Sequence, residues 1–185
     1  MSRTHTPWGI WDPLGPAEVH RIFGALTVPW WLAGGYAIEL ATGRRLREHA
    51  DIDVLMLRRD HVAAQDALAG WEWWAADPPG VLRPWRVGEF LPANVHDVWC
   101  RPAAGQPWRV QLMVDESDGA DWVSRRDPRV RRPISSLLHT TVDGGRCLSP
   151  EIQLFYKAKT VRDKDEIDFA AVLPLLPQDG EPAEC

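Results

Sequence analysis

Apolar positions along the chain alternate between helical and strand periods, and the switches between them outline the fold. After Gly15-Pro16, residues Val19, Ile22, Phe23 and Leu26 fall on one face of a helix over 17–26. Pro29 to Ala33 is short, apolar and aromatic, which reads as a buried strand that ends at the Gly34-Gly35 turn. Tyr36 to Ala41 is a helix that stops near Gly43, and Ile52 to Leu57 is a second buried strand. Asp60 reads as the N-cap of a helix through Leu68, closed by Gly70.

Trp71 to Ala75 is a further strand, and four prolines make 77–93 mostly loop. Val95–Arg101 and Trp108–Val114 are strands joined by a Pro- and Gly-bearing hairpin connection. Beyond Asp115 the pattern gives way to a polar, Arg-rich loop. Ser149-Pro150-Glu151 then opens a helix to about Val161, and Lys164–Leu173 forms another. The order is that of an α/β (α+β) protein: a mixed twisted sheet flanked by helices, with a short C-terminal helical segment. The expected division is a core over 1–115 and an Arg-rich loop with helical segment, packed on it, over 116–185.

Composition narrows the class. The chain has 185 residues, 45% hydrophobic and 25% charged, the balance of one globular domain with an appendage. No apolar run reaches spanning length, and Met1 to Trp11 has no secretory pattern, so a cytoplasmic protein with no membrane partner is expected. Cys100, Cys147 and Cys185 are scattered, odd in number and without Cys-x-x-Cys spacing, which fits reduced thiols better than a disulfide framework or zinc site. The eleven tryptophans read mainly as core and pocket wall. His5, His20, His61, His96 and His139 show no ligand spacing.

A net charge of −5 argues against sequence-blind binding along a nucleic-acid backbone. Charge is uneven, however: Arg44, Arg45 and Arg47 precede an acidic pair, and five arginines crowd 125–132. The second cluster reads equally as a solvated loop or a phosphate grip.

The sharpest chemical feature is Asp51-Ile52-Asp53. Strand alternation puts both carboxylates on one face, roughly 6.5 Å apart along the backbone. Such a pair repels itself unless a cation neutralises it, and Mg²⁺ suits a few carboxylates plus phosphate oxygens. Upstream, Gly34-Gly35 between strand and helix offers backbone amides to an anion. Read singly, each is a solvated strand end or a plain tight turn; together they describe a triphosphate held by amides and metal. No Gly-x-x-x-x-Gly-Lys-Ser/Thr loop is present, so this is not a P-loop protein.

Gly34-Gly35, Gly43-Arg44, Arg47, His49 and Asp51-Ile52-Asp53 resemble the signature of the polymerase-β-like nucleotidyltransferases. The branch is that of the aminoglycoside 2″-adenylyltransferases, related to the lincosamide nucleotidyltransferases. The resemblance is strong over 30–57 and weaker over 150–168, where Lys157, Arg162 to Asp165 and Asp168 are similar to the family's C-terminal helical segment. It implies metal-dependent transfer of a nucleoside monophosphate, AMP from ATP or another nucleoside triphosphate, to a hydroxyl of a small molecule. It further implies two Mg²⁺ ions on Asp51 and Asp53, triphosphate contacts from Gly34, Gly35, Arg44 and Lys157, and a turn oriented by His49. The family's third carboxylate has no plain counterpart: Gln111 stands in its apolar-flanked context, with Asp115 preferred and Asp97 the alternative substitute. An aminoglycoside-like acceptor is an analogy alone, and the arginines at 125–132 run against a polycationic ligand. Nucleic acid enters only as an acceptor: a toxin acting on tRNA or protein is the second reading, and a catalytically degenerate nucleotide-binding module the third. Oligomeric state is not legible.

Overall fold

The computed structural model describes residues 3–141, 144–159 and 161–176. In chain order, β1 (Thr4–Thr6) and β2 (Gly9–Trp11) form a small hairpin, followed by α1 (Pro16–Phe23), β3 (Trp30–Ala33), α2 (Gly34–Thr42) and β4 (Asp53–Leu57). A 3₁₀ turn at His61–Ala63 leads into α3 (Ala64–Ala67), then β5 (Glu72–Ala76), β6 (Leu82–Pro84), β7 (Asp97–Arg101) and β8 (Val110–Asp118). The last third holds β9 (Asp121–Val123), β10 (Arg131–Pro133), β11 (Leu138–Thr140), β12 (Arg146–Leu148), α4 (Pro150–Lys157) and α5 (Asp163–Val172).

The main sheet runs β11-β12-β3-β4-β8-β7-β5-β6, with β9 and β10 added on the far end of β8. It is mixed: β12 lies parallel to β3 and β4 parallel to β8, while β3–β4, β7–β8 and β5–β7 are antiparallel. The central strands are apolar on both faces because both faces are covered. Trp30, Leu32, Val54, Met56, Leu112 and Val114 pack with Val19 and Phe23 of α1. Trp31, Ala33, Leu55 and Leu57 face the other way, onto Trp122, Ile152 and Tyr156. Ile38 of α2, Leu154 of α4 and Val172 of α5 join the helices over that second face.

Several expectations need correcting. The polar stretch after Asp115 is not loop: β8 continues to Asp118, and β9 to β12 follow, β12 beside β3. Three-residue strands with exposed Arg and Pro carry too few inward positions to show a period. The helix expected from Asp60 shrinks to the 3₁₀ turn and α3, and the Asp60 carboxylate pairs with Arg59 instead of capping. α4 ends at Lys157, four residues early, and starts from Ser149 without a side-chain cap bond. The N-terminal hairpin, which seats Trp8 and Trp11 edge-on against Trp99, was not legible. Cys100 and Cys147 are buried in separate strands, and Cys185 lies outside the described residues. Among the described residues no helix is long and apolar enough to cross a membrane.

Candidate active site

The Gly-Gly pair is the first turn of α2 rather than a loop before it. Gly34 sits at φ +66°, and a Cβ there would fall 2.0 Å from Oδ2 of Asp53. A Cβ on Gly35 would fall 2.3 Å from the His49 ring and 2.5 Å from Arg47. Both glycines therefore make room for side chains arriving from the segment between α2 and β4 and from β4 itself. The Gly34 amide is already given to Oε1 of Gln153, at 3.0 Å, which pins the start of α2 to α4.

Asp53 opens β4 beside Ala33 of β3 and Gln111 of β8, and Asp51 precedes it by two residues. Burial, then the charges of Asp51 and Asp97, push the Asp53 carboxyl well above the usual carboxylate range; Lys157 and Lys164 oppose them. Gln111 donates to Oδ1 of Asp97 at 3.1 Å. Asp115 lies elsewhere: it pairs in register with Leu57, at the opposite end of β4 from Asp53. It is fully buried, accepts from Trp122 at 2.7 Å and from the Tyr156 hydroxyl, and has Arg125 Nε at 3.8 Å.

Asp51 and Asp53 line a cavity of about 280 Å³ with Gly34, Gly35, Gln111 and Gln153. Its remaining polar wall is basic. From α4, α5 and the connection between them come Lys157, Lys159, Arg162 and Lys164; from the β9–β10 connection come Arg125 and Arg126; Arg47 completes it. Lys157 is held at 2.9 Å from Asp165 and 2.8 Å from Asp168. Asp168 also receives Arg47 at 3.0 and 3.3 Å. Arg162 closes on Asp165 at 2.8 Å. Although burial works to raise Asp165, the bonds from Arg162 and Lys157 hold it well below the ordinary range. His49 accepts from Arg47 and lies 3.0 Å from Glu39, while burial lowers its pKa, so it is a neutral brace before Asp51.

The structure thus brings Asp51, Asp53, Gly34, Gly35 and Lys157 together. It leaves Asp115 beneath the wall and Arg44 exposed, outside the cavity. Gln153, Arg125 and Arg126 were not singled out from sequence as cavity residues. The four-residue step from Gln153 to Lys157, which puts both on one helix face, was the available signal for the first.

A divalent cation fits this donor set. Two crowded carboxylates, one with its charged form disfavoured, lie in a cradle that a Cβ on Gly34 would fill. Among the described residues no three His, Cys, Asp or Glu side chains form a ligand cluster, which leaves a pair that phosphate oxygens would complete.

Residues 17–172 match the family model described as aminoglycoside-2''-adenylyltransferase. No curated protein matches the chain by sequence. Among solved structures, the lincomycin-bound lincosamide antibiotic adenylyltransferase LnuA superposes with a TM-score of 0.59 at 16% identity, covering 89% of this chain and 100% of the other. ANT(2")-Ia in complex with adenylyl-2"-tobramycin superposes with a TM-score of 0.54 at 18% identity, covering 87% and 89%. At these identities the likeness establishes the fold.

Proposed function

The chain belongs to the aminoglycoside-2''-adenylyltransferase family, and from that premise we propose that it transfers AMP from ATP to a hydroxyl of a small molecule, with Asp51 and Asp53 as the metal-holding centre. The observation that carries this is the carboxylate pair lining a cavity whose other charged side chains are all basic. Mg²⁺ bound there would neutralise the pair and polarise the phosphate under attack.

The chain's own residues supply position and charge. Lys157 donates to Asp165, lies 2.8 Å from Asp168 and lines the cavity, so these two carboxylates hold its ammonium where it can offer a donor to a phosphate oxygen. Lys159 and Lys164 stand on the same side. With its amide committed to Gln153, Gly34 serves by absence of a side chain. Asp97, held by Gln111 next to Asp53, is the carboxylate we assign to take the acceptor's proton; this replaces Asp115, which is enclosed by Trp122 and Tyr156. The cavity acids come from before residue 115 and most of its cations from after it, although β8 itself runs through that position.

Labelled ATP with Mg²⁺ and a panel of hydroxylated acceptors tests the reading. Transfer to an acceptor, reduced at least about 100-fold in Asp53→Asn, is expected. Equal label transfer by wild type and variant would remove Asp53 from the reaction.

A further inference from the structure

We infer that the acceptor seat selects an oxyanion: Arg125 and Arg126 grip a phosphate or carboxylate group of the hydroxylated acceptor, and a polycation is not what this site is built to hold. The inference rests on the reading of Asp51 and Asp53 as the transfer centre.

The cavity wall carries seven basic side chains against two acidic ones, so several positive charges brought by a ligand meet repulsion. These cations fall into two groups. Lys157 and Lys164 come from α4 and α5 and are the cations that the proposed reaction uses for the triphosphate. Arg125 and Arg126 form a separate wall, their guanidiniums 5.4 and 4.9 Å from the centroid of the Tyr156 ring.

This second wall is under-compensated. Nη1 of Arg125 is buried with no hydrogen-bond partner, and its one ion pair is long, Nε to Oδ1 of Asp115 at 3.8 Å, while Oδ2 of that carboxylate accepts from Trp122 and Tyr156. Arg126 gives one bond to a neutral acceptor, the Phe155 carbonyl at 3.1 Å. Burial and the adjacent Arg125 charge both disfavour its cationic form. The rest of the arginine cluster differs: Arg129, Arg131 and Arg132 close on Asp127, Asp118 and Glu151. Two neighbouring guanidiniums that share one distant carboxylate and line one cavity are matched by an oxyanion, which accepts paired N–H donors.

The test is calorimetric titration of the full chain, first saturated with Mg²⁺ and a non-hydrolysable ATP analogue, using inorganic phosphate, acetate and tobramycin as probes. One of the two anions is expected to bind the saturated complex, and the tighter of them names the acceptor group. Arg125→Gln and Arg126→Gln should each weaken it about tenfold while leaving analogue affinity unchanged. Arg126→Gln is the variant that leaves the Asp115 cluster intact. Anion binding abolished by the analogue would assign these arginines to the triphosphate and overturn the inference, as would tobramycin binding more tightly than either anion. Failure of the transfer reading looks different: the analogue does not bind, or binds Asp53→Asn as well as wild type, and the inference falls with it.

Discussion

Gly34 shows how one missing side chain sets the site. Its φ of +66° is available to glycine at no steric cost, and its Cα faces Oδ2 of Asp53 so closely that a methyl group would overlap it. Gly34→Ala is expected to displace the Asp53 carboxylate and to cost about 1–3 kcal/mol of stability from backbone strain. A lowered denaturation midpoint together with lost Mg²⁺-dependent transfer would report both effects. The two candidate bases separate at this scale as well. Asp97→Asn should lower kcat by about 10²–10⁴-fold with nucleotide affinity kept, as for loss of a general base. Asp115→Asn should act mainly on stability, since its carboxylate touches Trp122, Tyr156 and Arg125 at the Leu57 end of β4, whereas Asp97 is held by the cavity residue Gln111 and acts on Asp53. If Asp115→Asn proved the slower enzyme at unchanged stability, the assignment of Asp97 would be wrong.

Among the elements, α5 matters for the acids it sends back to α4 and to the segment before β4. Asp168 is fully buried and joins Lys157 of α4 to Arg47, so one carboxylate fixes two cavity cations. Removing it in Asp168→Ala leaves both cations under-compensated. The expected cost is about 3–5 kcal/mol, the usual price of breaking a buried pair from one side. Chemical denaturation measures that loss, and a change under about 1 kcal/mol would show α5 to be held by Val172 and Ile38 instead. α5 was legible in outline as a helix, but not which face docks, because it buries Asp165 and Asp168 and leaves Ile167 exposed. That Asp165 and Asp168 converge on Lys157 was not, because α4 and α5 meet at an angle only packing sets.

For the whole molecule, the buried histidines tie stability to pH. His61 accepts the Leu91 amide on Nε2 at 3.1 Å and pairs Nδ1 with the Arg58 carbonyl, which fixes a neutral ring, and burial lowers its pKa. The unfolded chain takes up that proton near pH 6.5 while the folded one resists. His61 therefore contributes stability above that pH, and the contribution is lost as pH falls toward the depressed folded value. The contribution of His61, read as the stability difference between wild type and His61→Gln, should be smaller at pH 5.5 than at pH 7.5, opposite in sign to the pH dependence that the raised Asp53 carboxyl adds. NMR should place the His61 titration below 6.5; a titration above 6.5 would reverse the sign. At this scale the sheet order, with β12 returning beside β3 and β9–β10 folding back along β8, brings the second half of the chain over the acids of the first. The sequence by itself determined the local features: the apolar runs of β3 and β4, the α2 helix closed by Gly43, the β7–β8 hairpin, and two aspartates two positions apart at the start of β4, of which only Asp53 lies within the strand. Strand period and glycine's freedom act within a few residues, so they are written locally. Only the tertiary structure decided that Gln111 faces Asp53, that Asp115 is enclosed, and that two of five clustered arginines enter the cavity. Those relations, such as Gln111 beside Asp53 and Tyr156 against Asp115, run through strand register and helix packing, which depend on the whole core closing at once.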